Sequence, residues 1–480
     1  MEDDPNQVRP VITVLSRDQM QDVHQRSVAI LSSVGIRVDS SRARAVFDNV
    51  SGIMVQDDLV RFSQEIIDWA LSVAPGEITV YDRAGNQAFH LGSSGAQETA
   101  FGIGVTNLFY QEAETDEIRP FLRKDMVHGV RLGDCLSQFG LISTLGIPQD
   151  LPEYAADLYS GLDMMANTQK PLALLVSKDD AFEPLLDLFE YLQGDLDSKP
   201  FILPYFNPIT PLVLNEGTAL KIMAAVKRGL PFIYNNYGMS GASTPVTPVG
   251  TLALLNAELL AGLVFSQLLK EGTPVILGSL PAGFDMRSMV STYTPKTMLL
   301  NLACAEMMDF YGLPHSGTSG SCNGWGADLS ASATLWMNHL SSCLGKVGLA
   351  PFVGGNFDSM TFSPATVVYA NEIIRQARSF ARGFSFADQE LEIEDIRRAG
   401  PGGDFLYSDR TFALCRKLDE GVPLWPNLSL EAWQEKGSPT ADSWLRARTG
   451  ELLASARAPE DRAEITARGE AYVKNVLGSQ

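Results

Sequence analysis

Five short segments combine aromatic rings with amides and charges. They are Tyr205, Phe206 and Asn207; Tyr234, Asn235 and Tyr237; Phe284, Asp285 and Arg287; His315, Thr318, Cys322, Asn323 and Trp325; and Gly355, Asn356, Phe357 and Asp358. Rings around an apolar slot attract a quaternary ammonium through their negative faces, each contact contributing about 0.5–2 kcal/mol according to desolvation. Tyr205, Phe206, Asn207, Tyr234, Tyr237, Trp325 and Phe357 are therefore candidates for binding a methylated ammonium compound. Arg287 or His315 could hold a carboxylate on the same ligand, and Asp285 or Asp358 could offset its positive charge. For each ring the competing reading is loop packing, and for each charge a loop ion pair.

Other chemistries find little support. The five histidines form no HExxH or HxH pattern, and the five cysteines form no CxxC pair, so no metal site can be written. Cys322 has no assignable His and Asn partners and reads as packing rather than as a nucleophile. The stretch HSGTSGSCNGWGAD, from His315 to Asp328, is rich in glycine but holds neither GxGxxG nor GxxxxGK[ST]. Glu258, inside an apolar helix, reads as a polar bond between barrel and helix. No catalytic residue is assigned.

These segments need a scaffold that brings them together. Short β-rich runs alternate with helical patterns from about residue 98 onward. The runs are Thr99–Val105, Phe139–Thr144, Pro171–Val176, Phe201–Phe206, Pro231–Asn236, Pro274–Ser279, Leu313–Gly317 and Gly348–Val353. Helices are expected at Arg123–Leu136, Glu153–Asn167, Ala181–Leu192, Glu216–Arg228, Pro295–Tyr311, Asp328–Leu344 and Pro364–Arg382. Eight such units predict an α/β fold, a (β/α)8 TIM barrel, with the reaction site where the loops after the strands converge. The aromatic segments fall in those loops. Residues 1–97 read as an N-terminal helical and β elaboration beneath the barrel, with a helix over Arg17–Val34 and short strands around Glu77–Leu91. The barrel is assigned to 98–383. Residues 384–480 read as a C-terminal helical elaboration that includes an acidic helix over Asp388–Arg398.

The chain has 480 residues, 45% hydrophobic and 20% charged, and a formal charge of −20, which disfavours nucleic acid and anionic membranes as partners. The unpaired cysteines and the acidic start, MEDDPNQVRP, point to a cytoplasmic protein. Val249–Leu269 is apolar enough for a membrane span, but Asn256, Glu258, Ser266 and Gln267 interrupt it, so a buried core helix is expected.

Several segments, in order along the chain, resemble the trimethylamine methyltransferase superfamily in its branch lacking pyrrolysine. They are HQRSVAILSSVGIRV from His24, NTQKPL from Asn167, GASTPVTPVGTLALLNAELLAGLV from Gly241, EGTPVILGS from Glu271, GLPHSGTSG from Gly312, SPATVVYANEIIR from Ser363 and GPGGDFL from Gly400. The resemblance implies a barrel whose mouth binds a methylated amine and docks a separate corrinoid protein, the methyl acceptor, with no cofactor bound by the chain itself. Assembly as a homo-oligomer is also expected. Cys322, Asn323, Gly324 and Trp325 stand where the family commonly has a TDSK-like pattern. A quaternary amine already carries a neutral leaving group, whereas a protonated tertiary amine must first lose its proton. The departure therefore favours a quaternary substrate, a betaine such as glycine betaine being expected, with Trp325 as first choice for a cage wall. A barrel lyase using Lys178, or a betaine-binding sensory barrel without transfer, are the alternatives.

Overall fold

The computed structural model describes residues 7–92, 98–317, 320, 322–345, 347–385, 393–406, 408–414 and 423–478. Within them, eight parallel strands close on themselves. They are β1 (Ala100–Ile103), β2 (Phe139–Ser143), β3 (Leu172–Leu174), β4 (Ile202–Phe206), β5 (Phe232–Ser240), β6 (Val275–Asp285), β7 (His315–Gly317) and β8 (Leu349–Val353). Each pairs with its sequence neighbours, and β8 pairs with β1. Each strand leads to a helix: α1 (Arg123–Cys135), α2 (Glu153–Asn167), α3 (Phe182–Gln193), α4 (Glu216–Lys227), α5 (Pro248–Leu269), α6 (Pro295–Phe310), α7 (Leu329–Leu344) and α8 (Pro364–Arg382). The (β/α)8 barrel expected from the alternation of elements is the fold.

Helix starts follow from local chemistry. Thr247, Thr294 and Ser363 accept the backbone N–H of the third residue beyond them, and proline occupies the first turn of α5, α6 and α8. The α5 helix is buried from Thr251 to Gln267 because the barrel covers one side while helices Arg17–Ser33 and Gln64–Val73 cover the other. Its polar interruptions make specific bonds. Asn256 Nδ2 donates to Ser27 Oγ and the Tyr311 hydroxyl, both at 2.9 Å. Glu258 accepts from Leu212 N (2.6 Å), Thr210 Oγ1 (2.8 Å) and Asn236 Nδ2 (2.8 Å), which makes it a tie from barrel to helix.

A hairpin, Glu77–Tyr81 with Gln87–Gly92, sits under the barrel. Its Ile78, Val80 and Leu91 form one buried cluster with Ala100, Leu141, Ala173, Leu203, Ile233, Ile276 and Leu349. Those last seven come from seven different strands, so they mark the inward face and show the hairpin flooring the barrel. Two C-terminal helices, Ala441–Ser455 and Arg462–Gly478, pack outside α1, α2, α3 and α8.

Two features differ from expectation. The β5 and β6 strands do not stop at Asn236 and Ser279; they stay paired in register to Ser240 and Gly283, and β6 turns back into a short strand, Val290–Thr292. Alternating Tyr237, Met239, Leu280 and Ala282 continue one face of the pair, which sustains pairing above the barrel rim. The acidic helix is described only over Ile393–Ala399, and residues 386–392 lie outside the described residues.

Candidate active site at the barrel mouth

The strand period assigns faces. Ile233, on the floor, sets Asn235 and Tyr237 inward, and Leu203 does the same for Tyr205. Above the floor the inward layer is small and polar, containing Gly102, Ser143, Tyr205, Asn235, Gly278 and Ser316. Ser316 Oγ donates to Asn235 Oδ1 across the lumen at 2.7 Å, and Ser143 Oγ donates to Pro351 O at 2.7 Å. A Cβ on Gly278 would stand 2.5 Å from Ser316 Oγ and 2.7 Å from Asn235 Oδ1, so only glycine lets these groups meet. Asn235 is fully buried and, among the described residues, its Nδ2 donor has no partner. The Tyr205 ring meets Phe352 edge to face, with centroids 5.0 Å apart. Burial drives the Tyr205 hydroxyl well above its ordinary pKa.

At the level of Tyr237 three further elements converge. The Tyr237 hydroxyl lies beside Ser291 and Tyr293, on the short strand and its exit, and both favour its ionised form. The Tyr293 hydroxyl favours the charged form of the Asp358 carboxylate, whose pKa is nonetheless raised because partial burial outweighs it. Asp358 in turn helps raise the pKa of Tyr237, behind burial as the main cause. Asn323 fastens the short strand, accepting from Tyr293 N at 3.3 Å and donating to Ser291 O at 3.3 Å.

The Asp358 loop is strained. Phe357, Asp358 and Ser359 adopt successive left-handed conformations, φ 51°, 54° and 64°, each disfavoured for a residue with a Cβ. Hydrogen bonds from Phe357 N to Gly324 O and from Asp358 N to Cys322 O, both 3.1 Å, hold it against the loop after β7. Beneath lies a buried amide network. Asn356 Nδ2 donates to Gln111 Oε1 (2.9 Å) and Thr366 Oγ1 (3.1 Å), while Gln111 Nε2 donates to Trp325 O (2.8 Å). The Cys322 thiol donates to Asn356 Oδ1, and burial pushes its pKa up to about 12, which suits packing and not attack.

Placement separates the sequence candidates. Tyr205 and Tyr237 face the lumen, and Phe357 sits on the rim. Phe206 does not face it; its ring packs on Phe182 and Phe232, between β4 and α3. Tyr234 also points outward, so close to Gly262 of α5 that a Cβ there would lie 2.1 Å from its ring. Asn207 is exposed above β4, its carbonyl accepting Thr218 Oγ1. His315 opens β7 rather than closing it. Ser316 points inward, so His315 faces the helices, and its Nε2 accepts Gly348 N at 3.3 Å. Arg287 lies exposed at the tip of the β6 hairpin, where Asp285 accepts its backbone N–H and the Ser288 hydroxyl. Trp325 is 74% exposed and faces an outer groove, not the lumen. Thr318 lies outside the described residues. Lys178 is bound to Glu153 at 2.6 Å, and that pairing raises its pKa, the opposite of what an imine-forming amine requires. Tyr293, Ser291 and Phe352 had no signal of their own; counting inward positions up from Ile233 reaches Asn235 and Tyr237, but a register shift between Ala350 and Val353 puts Phe352 out of step with Leu349.

A sequence model described as trimethylamine methyltransferase (MTTB) matches residues 3–476. The chain belongs to the trimethylamine methyltransferase family. This methyltransferase is 27% identical over 477 residues to a glycine betaine methyltransferase of Desulfitobacterium hafniense, covering 97% of this chain and 98% of the relative. It is 26% identical over 409 residues to the trimethylamine methyltransferase of Methanosarcina barkeri, covering 83% of this chain and 82% of that one. Among solved structures, the monomethylamine methyltransferase of Methanosarcina barkeri aligns with a TM-score of 0.50 at 11% identity, over 92% of this chain and 93% of that one; it supports the barrel fold alone. For a methyltransferase of this family, an anionic, ring-lined mouth is suited to a methylated ammonium.

Proposed function

We propose that this methyltransferase moves a methyl group from a quaternary amine, a betaine such as glycine betaine, to a corrinoid carried by a separate protein docked over the mouth. The observation that carries the reading is Asp358. It is a half-buried carboxylate beside Tyr293 and Tyr237, at the mouth of a lumen lined by Tyr205 and Phe352. A fixed cation supplied by the ligand offsets the cost of burying that charge. Two residues below Tyr237, about 7 Å along the strand, Asn235 Nδ2 supplies an unused donor. That separation fits a small zwitterion with its ammonium at the mouth and its carboxylate inside. The near-full-length likeness to a glycine betaine methyltransferase supports the same choice.

In this reading the chain's residues orient and desolvate. Tyr237, Tyr293 and Asp358 hold the ammonium, Asn235 holds the carboxylate, and one N-methyl faces outward. The reduced corrinoid supplies the nucleophile. The C–N bond breaks with its electron pair staying on nitrogen, so a neutral amine leaves without proton transfer. Positioning and exclusion of water provide the acceleration. The rim suits a docked partner, because Met286 (75% exposed), Met289 (68%), Val290, Phe357 and Met360 leave an apolar surface around the mouth.

The test mixes the protein with a Co(I) corrinoid, free or protein-bound, and follows methyl-Co(III) absorbance over a panel of betaines and methylamines. Methylation from a betaine and not from trimethylamine supports the reading. Methylation from trimethylamine alone, or none with Co(I) verified, overturns it.

A further inference from the structure

Outside the barrel a groove of about 670 Å³ opens between the loop after β7, α8 and the helix Ala441–Ser455. Trp325, Tyr369 and Trp425 stand in its wall, together with Asp116, Asp328 and Arg446. We propose that this groove is a second binding site, separate from the lumen, for a methylated ammonium ion.

Two of the rings are held by hydrogen bonds and by each other. The Trp425 indole N–H donates to Ala441 O at 2.9 Å, and its ring meets Tyr369 at a 5.5 Å centroid separation and 72°. The Tyr369 hydroxyl is tied to Ser332 Oγ. Trp325, on the opposite loop, leaves 74% of its surface to solvent, and Leu329, one turn on, leaves 91%. A large exposed indole at the edge of an aromatic cleft lacks a packing role and is positioned to close over a ligand.

The charge pattern selects a cation. Three carboxylates line the groove, Asp442 being the third, against one guanidinium, which leaves two net negative charges. Arg446 does not fill the cation position. It is spent on protein partners, donating to Asp442 (2.7 Å), Asp116 (2.5 Å), Ala113 O (3.2 Å) and Glu114 O (3.1 Å), so it clasps the outer helix to the turn below the groove. The other Asp116 oxygen faces Gly326, whose missing side chain keeps that side open; a Cβ there would lie 3.6 Å from it. An ion with greasy methyls and a diffuse positive charge matches both rings and carboxylates, whereas a small hydrated cation would gain nothing from the rings. The site is independent of the lumen in its residues; only the identification of its natural occupant with the substrate rests on the proposed function.

Calorimetric titration of the full chain with tetramethylammonium tests it. Wild type is expected to show a second class of site. Trp325→Ala, at an exposed position that folding does not need, is expected to weaken that class at least tenfold and leave lumen binding intact. Trp425→Ala should do the same. Asp358→Asn should abolish the lumen event and spare the groove, so failure of either site is read separately. Choline should bind the groove at least tenfold more tightly than its neutral isostere, 3,3-dimethylbutan-1-ol. Absence in wild type of any class of sites that Trp325→Ala weakens, or equal affinity for choline and its neutral isostere, overturns the proposal.

Discussion

Asp358 combines a cost in folding with a gain in binding. Burial raises its carboxyl pKa, and three consecutive left-handed residues hold it in place. A raised acid pKa means that the fold favours the protonated form, so this group's stabilising contribution is present at low pH and is lost as pH rises through the folded pKa. Asp358→Asn should therefore melt at the same temperature as wild type or higher at neutral pH, while losing quaternary ammonium binding. In wild type, affinity at the lumen should weaken as pH falls, starting above the ordinary aspartate range; calorimetry across pH 4–8 checks it. Cys322→Ala, by contrast, should retain methyl transfer within a fewfold, because a thiol pushed up to about 12 supplies no thiolate. A loss of a hundredfold or more would restore it as a nucleophile. The same scale shows what the sequence hides. Adjacent Tyr205 and Phe206, or Tyr234 and Asn235, cannot both face the lumen, yet strands buried on both faces are apolar throughout and give no parity cue. The five aromatic segments were legible, but which member of each pair enters the site was decided only by the floor residues Leu203 and Ile233.

At the scale of elements, spacing carried most of the information. Glu153–Asn167 and Pro364–Arg382 form helices with the expected ends, since Pro152 precedes the first and Ser363 caps the second with Pro364 in its first turn. The rise of β5 and β6 above the rim was not legible, because it depends on pairing between two strands rather than on either alone. It matters to the site, for it lifts Tyr237 and brings the returning strand with Ser291 and Tyr293 beside Asp358. The packing of α5 on the barrel is equally non-local. Gly262 lies against the ring of Tyr234, so Gly262→Ala should overpack the contact and cost about 1–3 kcal/mol, seen as a lower thermal midpoint.

At the scale of the whole molecule, N-terminal and C-terminal additions brace the barrel and also meet each other. Arg83, 6% exposed, donates two hydrogen bonds to Asp461 (2.6 and 2.9 Å), joining the N-terminal region to the start of the last helix. That pairing lowers the Asp461 pKa, so its contribution is present at neutral pH and is lost as pH falls through the depressed value. Asp461→Asn should destabilise by about 1–3 kcal/mol, less than a fully buried pair because the carboxylate is partly exposed, and should loosen Arg462–Gly478 in hydrogen exchange. The brace pairs residues 378 positions apart, beyond the reach of local patterns.

The hairpin beneath the barrel has a kinetic meaning. With Ile78, Val80 and Leu91 closing one end, the lumen is a well with a single entrance, and under the proposed reaction two visitors must share it. The small amine has to arrive before the large acceptor, and the spent amine can depart only after the acceptor has lifted away. Turnover is thus a queue with a compulsory order, in which surplus acceptor waiting at an empty well blocks the traffic it is meant to serve.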